Sequence, residues 1–367
     1  MVKVDRKELA GVLAFLGKAV PGKSILPILQ SIKVVLDDST LEMQASNLVV
    51  HLTREIPTDG DDQWETCVPF ETLKGIVSVD SGNEVGLSLK GDKLTVTVGA
   101  AKSNIKCLPA EEFPLVDTSQ YKRVATFDAQ YLKKYVERVA WAAYTGDDQP
   151  NKNSVYFDAS NGSLALVALD SIGQLAMIET GHKIDDQFSF IMPLKATACL
   201  SELYGLTDIL LGQNQVAFVA SDMSVVSQLV DGDYFPYRDV IKAEFTSKAV
   251  MYQTEFANAL RQADVFAKDD AHVAEMIVDP LEAQVIVGSR LTQMGDGNTP
   301  IKCVSLVSDD NFPILFNANY MTNAVSHAGA RFSLNMNGPL VWIVIRSDPF
   351  DDGWTGLIVP MITKGAA

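Results

Sequence analysis

Apolar positions along this chain switch between two periods. In VDRKELAGVLAFLGKAV (residues 4–20) Leu9, Val12, Leu13, Leu16 and Val20 recur at helical spacing. Asp5 is placed to cap that helix and Pro21-Gly22 to end it. The next runs read as strands divided by turn residues: ILQSIKVVLD (28–37), TLEMQAS (40–46) and VVHLTREI (49–56). CVPFETLKGIV (67–77) returns to a helical pattern opened by a proline. VGLSLKG (85–91), KLTVTVG (93–99) and SNIKCL (103–108) read as strands again, and the last runs into AEEFP (110–114).

The same order then recurs twice. DAQYLKKYVERVAW (128–141) predicts a helix, followed by strands SVYFDAS (154–160), SLALVALD (163–170) and GQLAMIET (173–180). Asn161-Gly162 between the first two is a strong hairpin signal. A short helix, IMPLKATACLSELY (191–204), precedes strands DILLG (208–212), QVAFVAS (215–221) and VVSQLV (225–230), which end in DGDYFP (231–236). The third copy has helix TEFANALRQADVFA (254–267), strands from 274 onward, helix LFNANYMTNAV (315–325), and strands RFSLNMN (331–337), VWIVIR (341–346) and TGLIVPM (355–361). Pro69, Pro193 and Asn317 are equally spaced, as are the helical starts around Leu9, Leu132 and Phe256 to within one residue. The pattern predicts an α+β chain of three repeated domains, 1–118, 124–243 and 248–367, each with two helices packed on antiparallel sheet. Linkers fall near 115–124 and 237–248. Copies of this length can each hold a core of their own.

Composition agrees with a globular chain: of 367 residues, 47% are hydrophobic and 21% charged. No apolar run is long enough for a membrane span, and MVKVDRKELA lacks the apolar region of a signal peptide, so the expected compartment is the cytoplasm. Cys67, Cys107, Cys199 and Cys303 are widely separated and read as buried free thiols, not a disulfide framework or zinc site. His51, His182, His272 and His327 are equally scattered and suggest neither metal nor catalysis. The net charge of −16 speaks against a nucleic-acid binder on average, although a ring can be acidic outside and basic inside.

GKAVPGKS (17–24) satisfies the phosphate-loop pattern G-x-x-x-x-G-K-[ST]. Its context is wrong. A helix precedes it, ILPILQSI (25–32) after it reads as an extended strand, and Pro21 removes one amide donor. The expected structure is a helix-ending turn, and an enzyme reading has no other motif behind it. The acidic runs DGDD (59–62) and DPFDD (348–352) lack the order of a calcium loop.

Several stretches, in order, resemble the bacterial DNA polymerase III beta subunit, the sliding clamp family. They are LPILQSIKVVLDDSTLEMQASNL (26–48), CLPAEEFP (107–114), SVYFDASNGSLALVALD (154–170), SQLVDGDYFPYRDVI (227–241), LFNANYMTNAV (315–325) and LIVPM (357–361). The resemblance implies a ring-forming DNA-clamp fold: a head-to-tail homodimer around duplex DNA, with helices lining the hole. The implied function is processivity in DNA replication, by encircling DNA without reading its sequence and by binding linear peptide motifs of the polymerase catalytic subunit and the clamp loader. No catalysis, metal, cofactor or membrane is implied. The alternative is a diverged clamp-like scaffold that binds proteins and is not loaded on DNA.

Carried over residue by residue, the implied DNA contacts are Lys23, Lys74, Lys133, Lys134, Arg138 and Lys195. The implied peptide pocket takes Leu169, Ser171, Ile172, Leu175, Tyr237, Val240, Asn317, Tyr320, Pro339, Leu357, Val359, Pro360 and Met361. The implied dimer interface takes Ile105, Val265 and Phe266. The chain departs from the family pattern in the run Asp170 to Leu175, which is one residue longer and has neither His nor Arg. It departs again at Asp239, where an arginine is usual, and at Ser103, where an aromatic residue is usual.

Overall fold

The structure is a computed structural model that describes residues 1–59, 62–79, 82–170, 172–241, 244–268, 271–292, 295–308, 310–350 and 352–362. The chain opens with β1 (Val2–Asp5) and α1 (Arg6–Leu16), then β2 (Ser31–Asp37), β3 (Thr40–Ser46), β4 (Val50–Pro57) and β5 (Trp64–Pro69). α2 (Phe70–Val77), β6 (Glu84–Lys90), β7 (Lys93–Val98) and β8 (Ala101–Lys106) follow. The order starts again with β9 (Lys122–Asp128), α3 (Ala129–Ala140), β10 (Ser154–Asp158), β11 (Ser163–Leu169), β12 (Gln174–Lys183) and β13 (Ser189–Pro193). It continues through α4 (Leu194–Thr197), β14 (Leu206–Leu211), β15 (Gln215–Val219) and β16 (Met223–Gln228). After α5 (Tyr237–Ile241) come β17 (Ser247–Tyr252), α6 (Gln253–Ala267), β18 (Val273–Asp279), β19 (Gln284–Thr292), β20 (Gly295–Lys302), β21 (Ser305–Val307) and β22 (Phe312–Asn317). The last elements are α7 (Ala318–Ser326), β23 (Arg331–Met336), β24 (Ile343–Ser347) and β25 (Trp354–Ile358).

Local chemistry accounts for the helix boundaries. The Asp5 carboxylate accepts the Glu8 N–H at 2.9 Å and caps α1, whose buried face is Leu9, Val12, Leu13, Phe15 and Leu16. A side chain at Gly17 would meet the Phe70 ring at 2.9 Å, so α1 and α2 pack closely where that glycine stands. Pro69 precedes α2 without a side-chain cap, whereas Asn317 caps α7 by accepting the N–H groups of Asn319 and Tyr320.

The chain forms two compact units. Unit 1 comprises Met1–Lys133 and Lys195–Leu229, and unit 2 comprises Lys134–Leu194 and Val230–Ala367. The division runs through the middle recurrence of the element order, not between recurrences. In unit 1 the described strands form an eight-stranded sheet, β5-β2-β3-β4-β16-β15-β14-β9, and a four-stranded sheet, β1-β6-β7-β8. In unit 2 they form a nine-stranded sheet, β13-β10-β11-β12-β25-β24-β23-β17-β21, and a four-stranded sheet, β20-β19-β18-β22. Antiparallel pairs β4–β16 and β12–β25 make the long sheets continuous, so strands far apart in sequence share one hydrogen-bonded ladder.

Several expectations need correction. Residues 27–30 form a 3₁₀ turn, not the start of a strand, because Pro27 favours a helical first position and cannot donate to a ladder. The stretch expected as a linker from 237 contains α5. Strands β1, β9 and β17, each leading directly into a helix, were not expected. Cys67, Cys107 and Cys199 are buried free thiols, but Cys303 is only half-buried. GKAVPGKS lies between α1 and the 3₁₀ turn at 27–30, so the strand-loop-helix context of a phosphate loop is missing there.

Candidate peptide groove, basic helix faces and open sheet edges

In unit 2, Leu169, Leu175 and Leu357 stand directly opposite one another across β11, β12 and β25. Their alternation puts all three side chains on one face, where they join Val167, Met177, Tyr237, Ile241 and Val344 in an apolar cluster. Above this floor is a cavity of about 400 Å³ lined by Lys152, Leu169, Asp170, Ile172, Gly173, Gln174, Leu175, Phe235, Val240, Trp342, Leu357 and Val359. The turn at its mouth is tied by Asp170, whose Oδ1 accepts the N–H groups of Ile172 (2.9 Å), Gly173 (2.7 Å) and Gln174 (3.1 Å). The Val359 N–H donates to the Gly173 carbonyl at 2.8 Å and holds the far wall.

α5 is anchored beneath the groove. The buried Tyr237 hydroxyl donates to Asp158 at 2.6 Å, and Arg238 bridges Asp158 (3.2 Å) and Glu179 (2.7 Å). Burial raises the Asp158 carboxyl, but hydrogen bonds from Ser160 and Tyr237 and the charge of Arg238 outweigh it and hold it below the usual carboxylate range. Burial, then the Asp158 contact, pushes the Tyr237 hydroxyl well above the ordinary phenol value. This side chain is structural.

The groove combines apolar walls with unused polar capacity. Ile172 is 72% exposed and Val359 43% exposed. Gln174 Oε1 and Trp342 Nε1 are buried without a hydrogen-bond partner among the described residues. One acceptor and one donor are therefore open for an incoming chain, and leaving them unmet is costly. The chemistry suits an extended peptide with apolar side chains.

Of the residues expected here, Leu169, Ile172, Leu175, Val240, Leu357 and Val359 line the cavity. Tyr237 lies under it. Tyr320 stands beside Gly173, and burial followed by the nearby Asp170 raises its hydroxyl. Asn317 is instead occupied with capping α7 and bonding the Ala271 carbonyl. Pro339 is exposed in the turn after β23 and Pro360 is buried, and neither lines the cavity. Met361 is half-buried beside β22, its N–H bonded to the Leu315 carbonyl. Ser171 lies outside the described residues. Sequence reasoning missed Lys152, Asp170, Gly173, Gln174, Phe235 and Trp342. Phe235 carried a signal in the recurring Phe-Pro of Phe113-Pro114 and Phe235-Pro236, and Asp170, Gly173 and Gln174 lie in the run that departs from the family pattern; Lys152 and Trp342 carried none.

The basic residues divide. Lys23, Lys74, Lys133, Lys134 and Lys195 are all exposed. Lys74 lies 5.4 Å from the Phe70 ring centre on α2, and Lys133 and Lys134 are adjacent on α3. Arg138 is different. Its guanidinium pairs with Asp352 at 2.6 Å, donates to the His327 carbonyl at 2.7 Å and lies over the Trp354 ring. The guanidinium is thus held within unit 2 by these three contacts.

The four-stranded sheets end in strands paired on one side only among the described residues: β1 and β8 in unit 1, β20 and β22 in unit 2. Ile105 lies on β8 but is only 4% exposed, so its side chain faces the core and only its backbone is offered at the edge. Val265 is 52% exposed at the end of α6. Phe266 packs over β20, where a side chain at Gly297 would meet its ring at 3.0 Å.

Two family models match the chain. The DNA polymerase III beta subunit N-terminal domain matches residues 1–117, and the central domain of that subunit matches residues 126–236. A protein of Bacillus subtilis (strain 168) named beta sliding clamp is 24% identical over 363 residues, covering 94% of this chain and 95% of its own length. A beta sliding clamp of Chlamydia muridarum is 20% identical over 334 residues, covering 89% of each. Among solved structures, the DNA polymerase sliding clamp from Bacillus subtilis superposes with a TM-score of 0.90 at 22% identity, covering 99% of both chains. The DNA polymerase III subunit beta from Pseudomonas aeruginosa gives 0.90 at 19% identity over 99% of this chain and 100% of its own.

Proposed function

We infer that this chain does the work of the family to which it belongs, the DNA polymerase III beta subunits: it is a sliding clamp that encircles duplex DNA and gives the replicative polymerase its processivity. It is an accessory subunit and not an enzyme. Its partners are DNA of any sequence, the polymerase catalytic subunit, the clamp loader and a second copy of itself, joined head to tail. It acts in the cytoplasm.

The observation that carries this reading is the strand pairing. β4–β16 joins two four-stranded halves into one eight-stranded sheet, while β8 and β20, like β1 and β22 at the opposite ends, each end a four-stranded sheet with no strand hydrogen-bonded on their outer side among the described residues. A second copy's β20 laid on β8 repeats the arrangement of β4 on β16, and the reciprocal contact closes a ring of six domains, three from each copy with boundaries at 1–118, 124–243 and 248–367. Val265 and Phe266 flank that contact, and Ile105 supports it from behind.

Lys23, Lys74, Lys133, Lys134 and Lys195 supply the cations that meet the DNA backbone, by charge alone and so without sequence preference. The net charge of −16 fits a protein held on DNA by topology, with the excess acid turned away from the duplex. The groove in unit 2 takes the apolar motifs of polymerase and loader. The scaffold reading is the less favoured one, since the relatives named above are called clamps or beta subunits. Sedimentation equilibrium tests the ring directly. A species of twice the 39.9 kDa chain mass at micromolar concentration is expected, and a monomer throughout that range contradicts it.

A further inference from the structure

Unit 1 holds a counterpart of the unit 2 groove. The row Leu169–Leu175–Leu357 across β11, β12 and β25 has its equivalent in Ser46–His51–Val226 across β3, β4 and β16. The turns match as well. Asn47 Oδ1 accepts the N–H groups of Val49 (3.0 Å) and Val50 (2.7 Å), as Asp170 does in its own turn. Phe113 stands edge-on to His51 with ring centres 6.1 Å apart, in the Phe-Pro pair that recurs as Phe235-Pro236.

The chemistry of this counterpart is its own. Two cavities, of about 110 and 280 Å³, share His51, Val116 and Val226 and so form one continuous groove. Its smaller end is mixed: Leu48, Val49 and Leu115 stand at it exposed to 52%, 45% and 84%, beside the polar Ser46, Gln215 and Gln228. Its larger end carries Glu42, Glu55 and Asp222. Glu42 and Glu55 face each other directly across β3 and β4. Gln44 donates to Glu42 at 2.6 Å, Arg54 pairs with Asp222 at 2.9 Å, and the Tyr204 hydroxyl donates to Asp222. Three carboxylates thus meet one guanidinium, and Glu55 is raised by burial and then by its neighbours Glu42 and Asp222. Between the two ends, His51 is 6% exposed and its Nδ1 has no hydrogen-bond partner among the described residues. A buried polar atom left open in this way marks a place where a ligand can be bonded.

We propose that the β4–β16 groove is a second docking site, for a linear peptide that sets one aliphatic side chain against Leu48, Val49 and Leu115 and a lysine or arginine against Glu42, Glu55 and Asp222. Charge complementarity selects that occupant. The smaller end is below the ~150 Å³ that admits a benzene ring, so it takes a single side chain, and Leu48, Val49 and Leu115 favour an aliphatic one. His51 bonds the peptide between the two anchors. The site rests on the geometry of unit 1 and not on the clamp reading.

The imidazole resonances of His51 in the full chain, assigned by their loss in His51→Gln, report binding without touching unit 2. Three acetylated and amidated probes are titrated: Leu-Arg, Leu-Gly-Arg and Leu-Gly-Gly-Arg. At least one is expected to move the His51 signals saturably below about 10 mM. The same peptide with glutamate for arginine has no effect, and Glu42→Gln or Glu55→Gln weakens the response about fivefold. No movement with any of the three probes, or equal movement with the glutamate forms, overturns the proposal and leaves the clamp reading untouched.

Discussion

Ile172→Ala separates peptide binding from folding. The side chain is 72% exposed in the free chain, so little of it supports the fold. Truncation to alanine removes three carbon groups, worth about 2.4 kcal/mol if all were transferred from water to an apolar contact. A peptide lying in the groove newly covers the exposed fraction, so roughly 1.7 kcal/mol of binding energy is lost, about twentyfold in Kd. The same accounting leaves about 0.7 kcal/mol for the fold itself. Fluorescence anisotropy with a labelled clamp-binding segment of the host polymerase measures the first quantity, and urea unfolding measures the second. An unchanged Kd in a variant whose unfolding midpoint is also unchanged would refute the placement of the peptide over Ile172. A large loss of stability would refute the reading of this side chain as a free wall of the groove.

The basic residues should divide in the same experiments. Arg138→Ala breaks the Asp352 pair and is expected to lower stability by about 2 kcal/mol in urea, with retention on DNA changed only as far as folding is. Lys133→Glu with Lys134→Glu should leave the unfolding midpoint in place and weaken retention on loaded circles, the more so at low salt. His51 sets a pH window. Burial lowers it from the ordinary 6.5 to about 4, so the folded chain keeps it neutral while the unfolded chain takes up a proton. Stability from this group is complete above pH 6.5 and is lost as pH falls from 6.5 towards 4, by about 3 kcal/mol in all. Urea unfolding at steps between those values should show that slope in the parent chain and a shallower one in His51→Asn, and equal slopes would contradict it.

What was legible in the chain was local. Leu9, Val12, Leu13 and Leu16 announce α1 because a helix buries one face of its own sequence. Asn161-Gly162 announces the β10–β11 hairpin for the same reason of proximity, and Gly162 does hold the positive φ that such a turn requires. Strands β1, β9 and β17 escaped because each runs into a helix whose stronger period masks it. The ladders β4–β16 and β12–β25 join strands with no mark of each other in their sequences. The groove follows the same division. Leu169, Leu175 and Leu357 come through the family resemblance, while Lys152 and Trp342 enter the lining only through tertiary packing. Arg138 looked like one more helix cation until Asp352, in a stretch that reads as a solvated acidic loop, turned out to neutralise it. His51, one of four scattered histidines, gains its character from Phe113 and β16 and not from its neighbours in sequence.

Retention on DNA of different topology tests the central claim most directly. The chain is loaded on a nicked circular duplex by its clamp loader with ATP, passed over a sizing column in high salt, and the DNA is then cut once. An encircling ring withstands salt that screens its lysines and remains with the circle, then runs off when the duplex is made linear. Equal retention before and after the cut, or no salt-resistant retention on the circle, would contradict the account.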